Sequence, residues 1–201
     1  MGELILIRHG ETEWSRASKH TSWTDLPLTA RGEEQAGSLV PLLADRRIAV
    51  TFCSPMARAL RTAELAGLGD PVIEPDMREW DYGGYEGITT EEIHRTRPGW
   101  DLWTDGVAPG PAQHPGESPA QVGERADRVL KAVDAALAEA AGGGDVALVA
   151  HAHFLRVLTA RRLGLSASGG ALFRLDTATV SRLGSEHDRP VITAWNVAPQ
   201  R

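Results

Sequence analysis

Three short stretches bring reactive side chains to the ends of apolar runs. Ile7-Arg8-His9-Gly10-Glu11-Thr12 follows Leu4-Ile5-Leu6, and Cys53-Ser54-Pro55-Met56-Ala57-Arg58 follows Val50-Thr51-Phe52. Ala150-His151-Ala152-His153 follows the run from Asp145 to Val149. Ligands of open α/β sheets lie beyond the carboxyl ends of strands. Singly, each stretch has an ordinary reading: Arg8 reaching to solvent, His9 a strand-end histidine, Arg58 and Arg61 exposed on a helix. Together Arg8, His9, Arg58 and His151 form a cluster suited to an anion. A helix opening after Ser54 would add free backbone N–H groups and the positive end of its dipole.

A fourth stretch, Met77-Arg78-Glu79-Trp80-Asp81-Tyr82-Gly83-Gly84-Tyr85-Glu86-Gly87, supplies carboxylates beside aromatic rings. A carboxyl packed against Trp80 or Tyr82 would suit a general acid. The competing reading is a glycine-rich loop with solvated acids. The pair His151 and His153 could serve a metal, but no Asp or Cys nearby completes a ligand set, so no metal is expected. His20, His94, His114 and His187 stand in polar stretches and are expected at the surface.

The elements that must position these groups alternate. Strands are expected at 4–7, 50–53, 71–73 and 145–150, with a closing pair at 172–183 and 191–197 turning near Gly184. A helix capped by Thr29 runs to about Arg46, interrupted by Pro41. A second opens at Ser54, with Pro55 at its first position. The longest begins at the capping box Ser118-Pro119-Ala120-Gln121 and ends at Gly142-Gly143-Gly144. Its residues Val122, Ala126, Val129, Leu130, Val133 and Leu137 share a face. Another runs from about His153 to Leu163, stopped by Gly164. This alternation reads as α/β, a three-layer α/β/α sandwich with a mostly parallel central sheet. Residues 1–201 read as a single domain, with 97–117 a loop insertion over the site.

Composition narrows the function classes. The chain has 201 residues, 42% of them hydrophobic and 24% charged, as in an ordinary globular domain. A net charge of −6 argues against nucleic acid or a membrane surface as partner. No run approaches the ~20 apolar residues of a membrane-spanning helix, and the N-terminus lacks a signal-peptide pattern. The one cysteine, Cys53, fits a reducing, cytoplasmic setting. Oligomeric state is open.

In this order, the stretches resemble the histidine phosphatase superfamily, the phosphoglycerate-mutase-like enzymes. The motifs are Ile7-Arg8-His9-Gly10-Glu11-Thr12, Ser54-Pro55-Met56-Ala57-Arg58-Ala59-Leu60-Arg61-Thr62-Ala63, Arg78-Glu79-Trp80-Asp81-Tyr82-Gly83 and Ala150-His151-Ala152-His153. Thr24-Asp25-Leu26-Pro27-Leu28-Thr29 fits the segment after the first motif. The resemblance implies His9 as the nucleophile that forms a phosphohistidine. It implies Arg8, Arg58 and His151 as phosphoryl ligands and Glu79 as the proton donor. Thr12, Ser15, Thr21 and Ser22 would line the substrate side, with Tyr82, Ala152, His153 and Arg156 as further binding residues. It implies no metal and no cofactor. Ser15 stands where the family often has Asn, and Ala152 where it often has Gly.

The chemistry agrees with these roles. Cations around His9 would keep it neutral and nucleophilic, whereas His151 helps most when protonated beside the dianion. Glu79 would begin protonated and end by accepting a proton from water. An acidic to neutral optimum follows.

The expected function is a phosphatase of small phosphorylated metabolites, of the sugar phosphate or bisphosphate class. Residues 78–87, Trp103-Thr104-Asp105-Gly106 and His153-Phe154-Leu155-Arg156 look most like the branch of actinobacterial acid phosphatases and sedoheptulose-1,7-bisphosphatase. Arg156 could then meet a distal phosphate or a sugar hydroxyl, and Trp14, Trp23, Trp100 and Trp103 could wall the pocket. A cofactor-dependent phosphoglycerate mutase is the alternative. Mutases carry a basic insertion where 97–117 has Arg97, Asp101, Asp105, His114 and Glu117. A non-catalytic phospho-ligand binding module is the alternative of another class.

Overall fold

Strand β1, Leu4–Arg8, reads Leu-Ile-Leu-Ile-Arg with no polar alternation, because both of its faces are covered. Its even and odd residues divide two cores. Leu4 and Leu6 join Trp80, Val122, Val129, Phe154 and Leu155 on one side. Ile5 and Ile7 join Leu39, Leu43, Ala59 and Ala63 on the other. A computed structural model describes residues 2–140 and 143–199 of the chain.

The remaining strands are β2 (Ile48–Cys53), β3 (Val72–Ile73), β4 (Asp145–Ala150), β5 (Val180–Glu186) and β6 (Arg189–Val197). They form one six-stranded sheet in the order β3-β2-β4-β1-β5-β6. The β1–β4, β2–β4 and β2–β3 pairs are parallel; β5 joins β1 antiparallel and β6 follows it. One face carries α7 (Pro119–Glu139) and α8 (Ala152–Arg162). The other carries α2 (Ala30–Gly37), α3 (Val40–Leu43) and α4 (Ala57–Leu65). Short helices α1 (Glu13–Arg16), α5 (Thr90–Thr96) and α6 (Leu102–Asp105) lie in connections. The three-layer sandwich with a mostly parallel sheet is thus the observed architecture. No helix among the described residues is long and apolar enough to cross a membrane.

Local chemistry explains where the elements start and where they differ from expectation. Thr29 and Ser118 cap α2 and α7, and Ser118 forms its reciprocal box with Gln121. The expected 29–46 helix breaks at Ser38 and Leu39, so that Pro41 falls in the first turn of α3, where its missing N–H costs nothing. Ser54 does not cap α4: Met56 holds that position without a side-chain bond, and Asp25 Oδ1 accepts from Ala57 N–H instead (2.9 Å). α7 ends at Glu139; of the glycines expected to stop it, Gly142 lies outside the described residues. The last helix opens one residue earlier than expected, at Ala152 after His151.

The closing pair is shorter and turns elsewhere. Residues Ala167–Leu172 form a 3-10 turn, and Ala178, in the left-handed region at φ 49°, delays β5 until Val180. The hairpin turns at His187 and Asp188, both left-handed, as a two-residue twisted turn demands. Gly184 sits inside β5 opposite Val191.

Candidate active site

The sheet order sets the site. β1 and β4 are parallel neighbours, and pairing continues one residue past β1 through His9 N–H to Ala150 C=O (3.0 Å). His9 and His151 therefore emerge side by side, their rings 5.1 Å apart and edge to face. β2 lies on the far side of β4 and delivers Ser54, then Arg58 in the first turn of α4. Gly10 lets α2 cross close behind His9, since a Cβ there would meet Gly32 C=O at 2.3 Å.

His9 has a defined tautomer. Its Nδ1 lies 2.8 Å from Gly10 C=O, which can only accept, so Nδ1 carries the hydrogen and Nε2 a free lone pair. Burial, reinforced by the Arg58 and Arg8 guanidiniums, holds its pKa well below the usual histidine value. Arg8 donates Nη1–H to Leu175 C=O (2.6 Å). Its Nε is buried without a partner.

Arg58 is 0% exposed and has one loose ion pair, with Asp25 at 3.8 Å. Its donors go to Ser22 C=O (2.9 Å), Thr24 C=O (3.1 Å) and His151 Nδ1 (3.2 Å). A buried cation held mainly by neutral acceptors and one distant carboxylate is an attractor for an anion. His151 is also 0% exposed, and burial followed by Arg58 lowers its pKa well below the usual value. Both ring nitrogens are committed, to Arg58 and Ser54, in a neutral ring; the protonated form is expected only beside a bound dianion.

Glu79 is tied to the start of α8. Its Oε1 accepts from Trp80 N–H (2.9 Å) and Phe154 N–H (2.8 Å), and its Oε2 from His153 N–H (3.0 Å). The amides at a helix start hold a carboxylate in a fixed place. Arg125, from α7, secures the same segment through Glu117 and the carbonyls of Asp76, Arg78 and Glu79.

A cavity of ≈ 500 Å³ opens over these groups, lined by Arg8, His9, Thr12, Glu79, Ala152 and Arg156 among others. Ser15, Thr21, Tyr82 and His153 also reach it. Tyr82 Oη and His153 Nδ1 share a 2.6 Å hydrogen bond. Burial raises the pKa of Tyr82 and lowers that of His153, so both are neutral. Arg156 lies 4.6 Å over the Trp103 ring and donates to Gly170 and Ala171 C=O, which fixes it at the wall.

Several expectations need correction. Arg58 and His151 lie beneath the cavity rather than on its wall, and Ser22 lines an adjoining groove of ≈ 750 Å³. Thr12 and Ser15 do line the cavity, and each hydroxyl accepts the other's backbone N–H in the capping box of α1. Arg61 faces away and pairs with Glu33 (2.8 Å). Residues 97–117 contribute nothing to the cavity; residues 113–117 line the groove, and Trp103 backs Arg156. None of the tryptophans named from sequence lines the cavity; Trp23 stacks on His114 beside the groove.

Sequence reasoning missed other residues. His20 is buried, not at the surface, and lines the cavity with its Nδ1 on Ile88 C=O (2.8 Å). Lys19, Leu172 and Arg174 form the rim. Glu86 accepts from the N–H groups of Ser22 (3.0 Å) and Thr24 (3.1 Å), holding the segment whose carbonyls face Arg58. Glu86 was visible only as one carboxylate of the 78–87 stretch.

A neutral imidazole with two arginines near it, at the carboxyl edge of a mostly parallel sheet, is chemically suited to phosphoryl groups. Comparison with known proteins places it: the chain belongs to the histidine phosphatase superfamily (branch 1), whose family model matches residues 4–198. It is 42% identical over 186 residues to an acid phosphatase of Mycobacterium tuberculosis, covering 92% of this chain and 87% of that one. It is 35% identical over 189 residues to sedoheptulose 1,7-bisphosphatase of Saccharomyces cerevisiae, covering 80% and 67%. A solved structure of an open reading frame from Mycobacterium tuberculosis superposes with a TM-score of 0.87 at 38% identity, covering 99% of each chain. The protein is accordingly a hydrolase of the phosphatase type.

Proposed function

We propose that the protein, acting as one catalytic domain in the cytoplasm, hydrolyses phosphate monoesters of small metabolites by way of a phosphohistidine at His9 Nε2. The observation that carries this reading is the Nδ1–H bond of His9 to Gly10 C=O, which leaves Nε2 as a bare lone pair between two arginines. In the first step that lone pair attacks phosphorus and the bond to the leaving oxygen breaks. Glu79, beside the cavity, gives the leaving oxygen its proton. In the second step water attacks phosphorus, Glu79 takes a proton back, and the P–N bond breaks to restore neutral His9. Arg8 and Arg58 grip the equatorial oxygens as charge builds. The unpartnered Arg8 Nε is a donor ready for one of them.

The rim bears on substrate class. Arg8, Lys19, Arg156 and Arg174 line the cavity with Glu79 as the carboxylate among them, on a chain of net charge −6. Such a concentration of cations favours a substrate with a second anionic group, as in a sugar bisphosphate. The test is phosphate release from a panel of sugar mono- and bisphosphates and phosphoglycerates, without added metal, at about pH 6. His9→Ala should abolish release and the acid-labile phosphoenzyme. Turnover surviving in His9→Ala would overturn the mechanism.

A further inference from the structure

Ser54 reads in the sequence as a helix cap, yet its hydroxyl is spent on the active-site histidine. The bonding of His151 admits one arrangement. Arg58 Nε–H points at His151 Nδ1 (3.2 Å), and a guanidinium has no lone pair with which to accept. Nδ1 is therefore the acceptor, the ring hydrogen is on Nε2, and Nε2–H donates to Ser54 Oγ at 2.7 Å. Ser54 Oγ also takes a long bond from Met56 N–H (3.4 Å). Ser54, Arg58 and His151 are each 0% exposed. His9 beside them holds the opposite tautomer, with Nδ1–H.

We infer that Ser54 is a positioning residue for phosphoryl transfer: by holding Nε2–H of His151, it keeps Nδ1 as the atom that passes from Arg58 to the phosphoryl group. This rests on the reaction proposed above. As substrate enters, Arg58 Nε leaves Nδ1 for a phosphoryl oxygen. The phosphate monoanion gives its proton to Nδ1 and becomes the dianion. The resulting imidazolium then donates through both nitrogens, Nε2–H to Ser54 and Nδ1–H to a phosphoryl oxygen. The charged and titratable groups acting on His151 are Arg8 at the end of β1, His9 just after it, Arg58 on α4 and Arg125 on α7. The cations among them oppose a charge on the ring, so it stays neutral until the dianion forms. Without the Ser54 hydroxyl, Arg58 Nε–H still selects the Nε2–H tautomer, but Nε2–H is left buried without an acceptor, and once Arg58 withdraws nothing holds the hydrogen on Nε2.

The experiment is nitrogen–proton correlation NMR of histidine-labelled protein, with His151 assigned through His151→Asn. The free protein should show His151 as the Nε2–H tautomer, and inorganic phosphate should convert it to the imidazolium. Ser54→Ala should convert less fully to the imidazolium at the same phosphate concentration and lower kcat about 10- to 100-fold, with a smaller change in KM. An Nδ1–H tautomer in the free wild-type protein, or a neutral ring in the phosphate complex, would overturn the inference even if Ser54→Ala does not fold. So would Ser54→Ala with wild-type kcat and pH profile. Failure of the reaction itself shows separately, as turnover in His9→Ala.

Discussion

Glu79 is held by backbone amides rather than by a charged partner, one from Trp80 and two from the start of α8. If it delivers the proton, Glu79→Gln should slow a sugar phosphate about 100-fold or more. p-Nitrophenyl phosphate, whose leaving group needs no proton, should lose far less. Equal losses on both substrates would remove Glu79 from the acid role. The unpartnered Nε of Arg8 makes a different prediction. A buried donor without an acceptor costs about 1–3 kcal/mol, which a phosphoryl oxygen would recover. Inorganic phosphate should thus raise the Tm of the wild type, and raise it less in Arg8→Lys; equal shifts would mean that the anion is held elsewhere. At this scale the motifs displayed Arg8, His9, Glu79 and His151 plainly. Ser54 was misread because Ser-Pro is also a good helix opening. Only the β2–β4 pairing, which local sequence does not encode, puts its hydroxyl against His151.

Between elements, the site is braced by segments that are distant in sequence. Glu86 grips the amides of Ser22 and Thr24, while Arg58 grips their carbonyls. Glu86→Ala should release this segment and raise KM for an aryl phosphate about 10-fold, the effect of ~1.4 kcal/mol. An unchanged KM would show that Arg58 alone suffices to hold it. Helix starts were legible because they are local: Thr29 and Ser118 carry their caps within three residues. The segments that shape the rim were not legible. Lys19 meets Thr89 in an isolated bridge, and Leu172 ends a 3-10 turn where apolar residues suggested a strand. Both placements come from contacts across the fold, against which local propensity has little weight.

For the molecule as a whole, burying histidines in neutral form links stability to pH. His9, His20, His151 and His153 all have pKa values lowered mainly by burial from the ordinary 6.5. Below that value the unfolded chain binds protons that the folded chain refuses. The contribution is therefore complete above about pH 6.5 and lost as pH falls toward the folded-state values. Tm should drop steadily between about pH 7 and 5; a flat profile there would contradict neutral burial. The α/β layering was readable from alternating apolar runs, whereas the sheet order, which brings β2 and β1 to opposite sides of β4, was not. The order also separates two tasks. Arg8, His9 and His151 stand at strand ends by the cavity floor, whereas Ser18, Lys19, Leu172 and Arg174 stand on connecting segments at its edge. Leu172, 77% exposed, makes almost no demand on the core. Evolution, or a combinatorial library confined to those four positions, can retune which ester is accepted while inheriting the catalyst unchanged, a chassis with an exchangeable mouth.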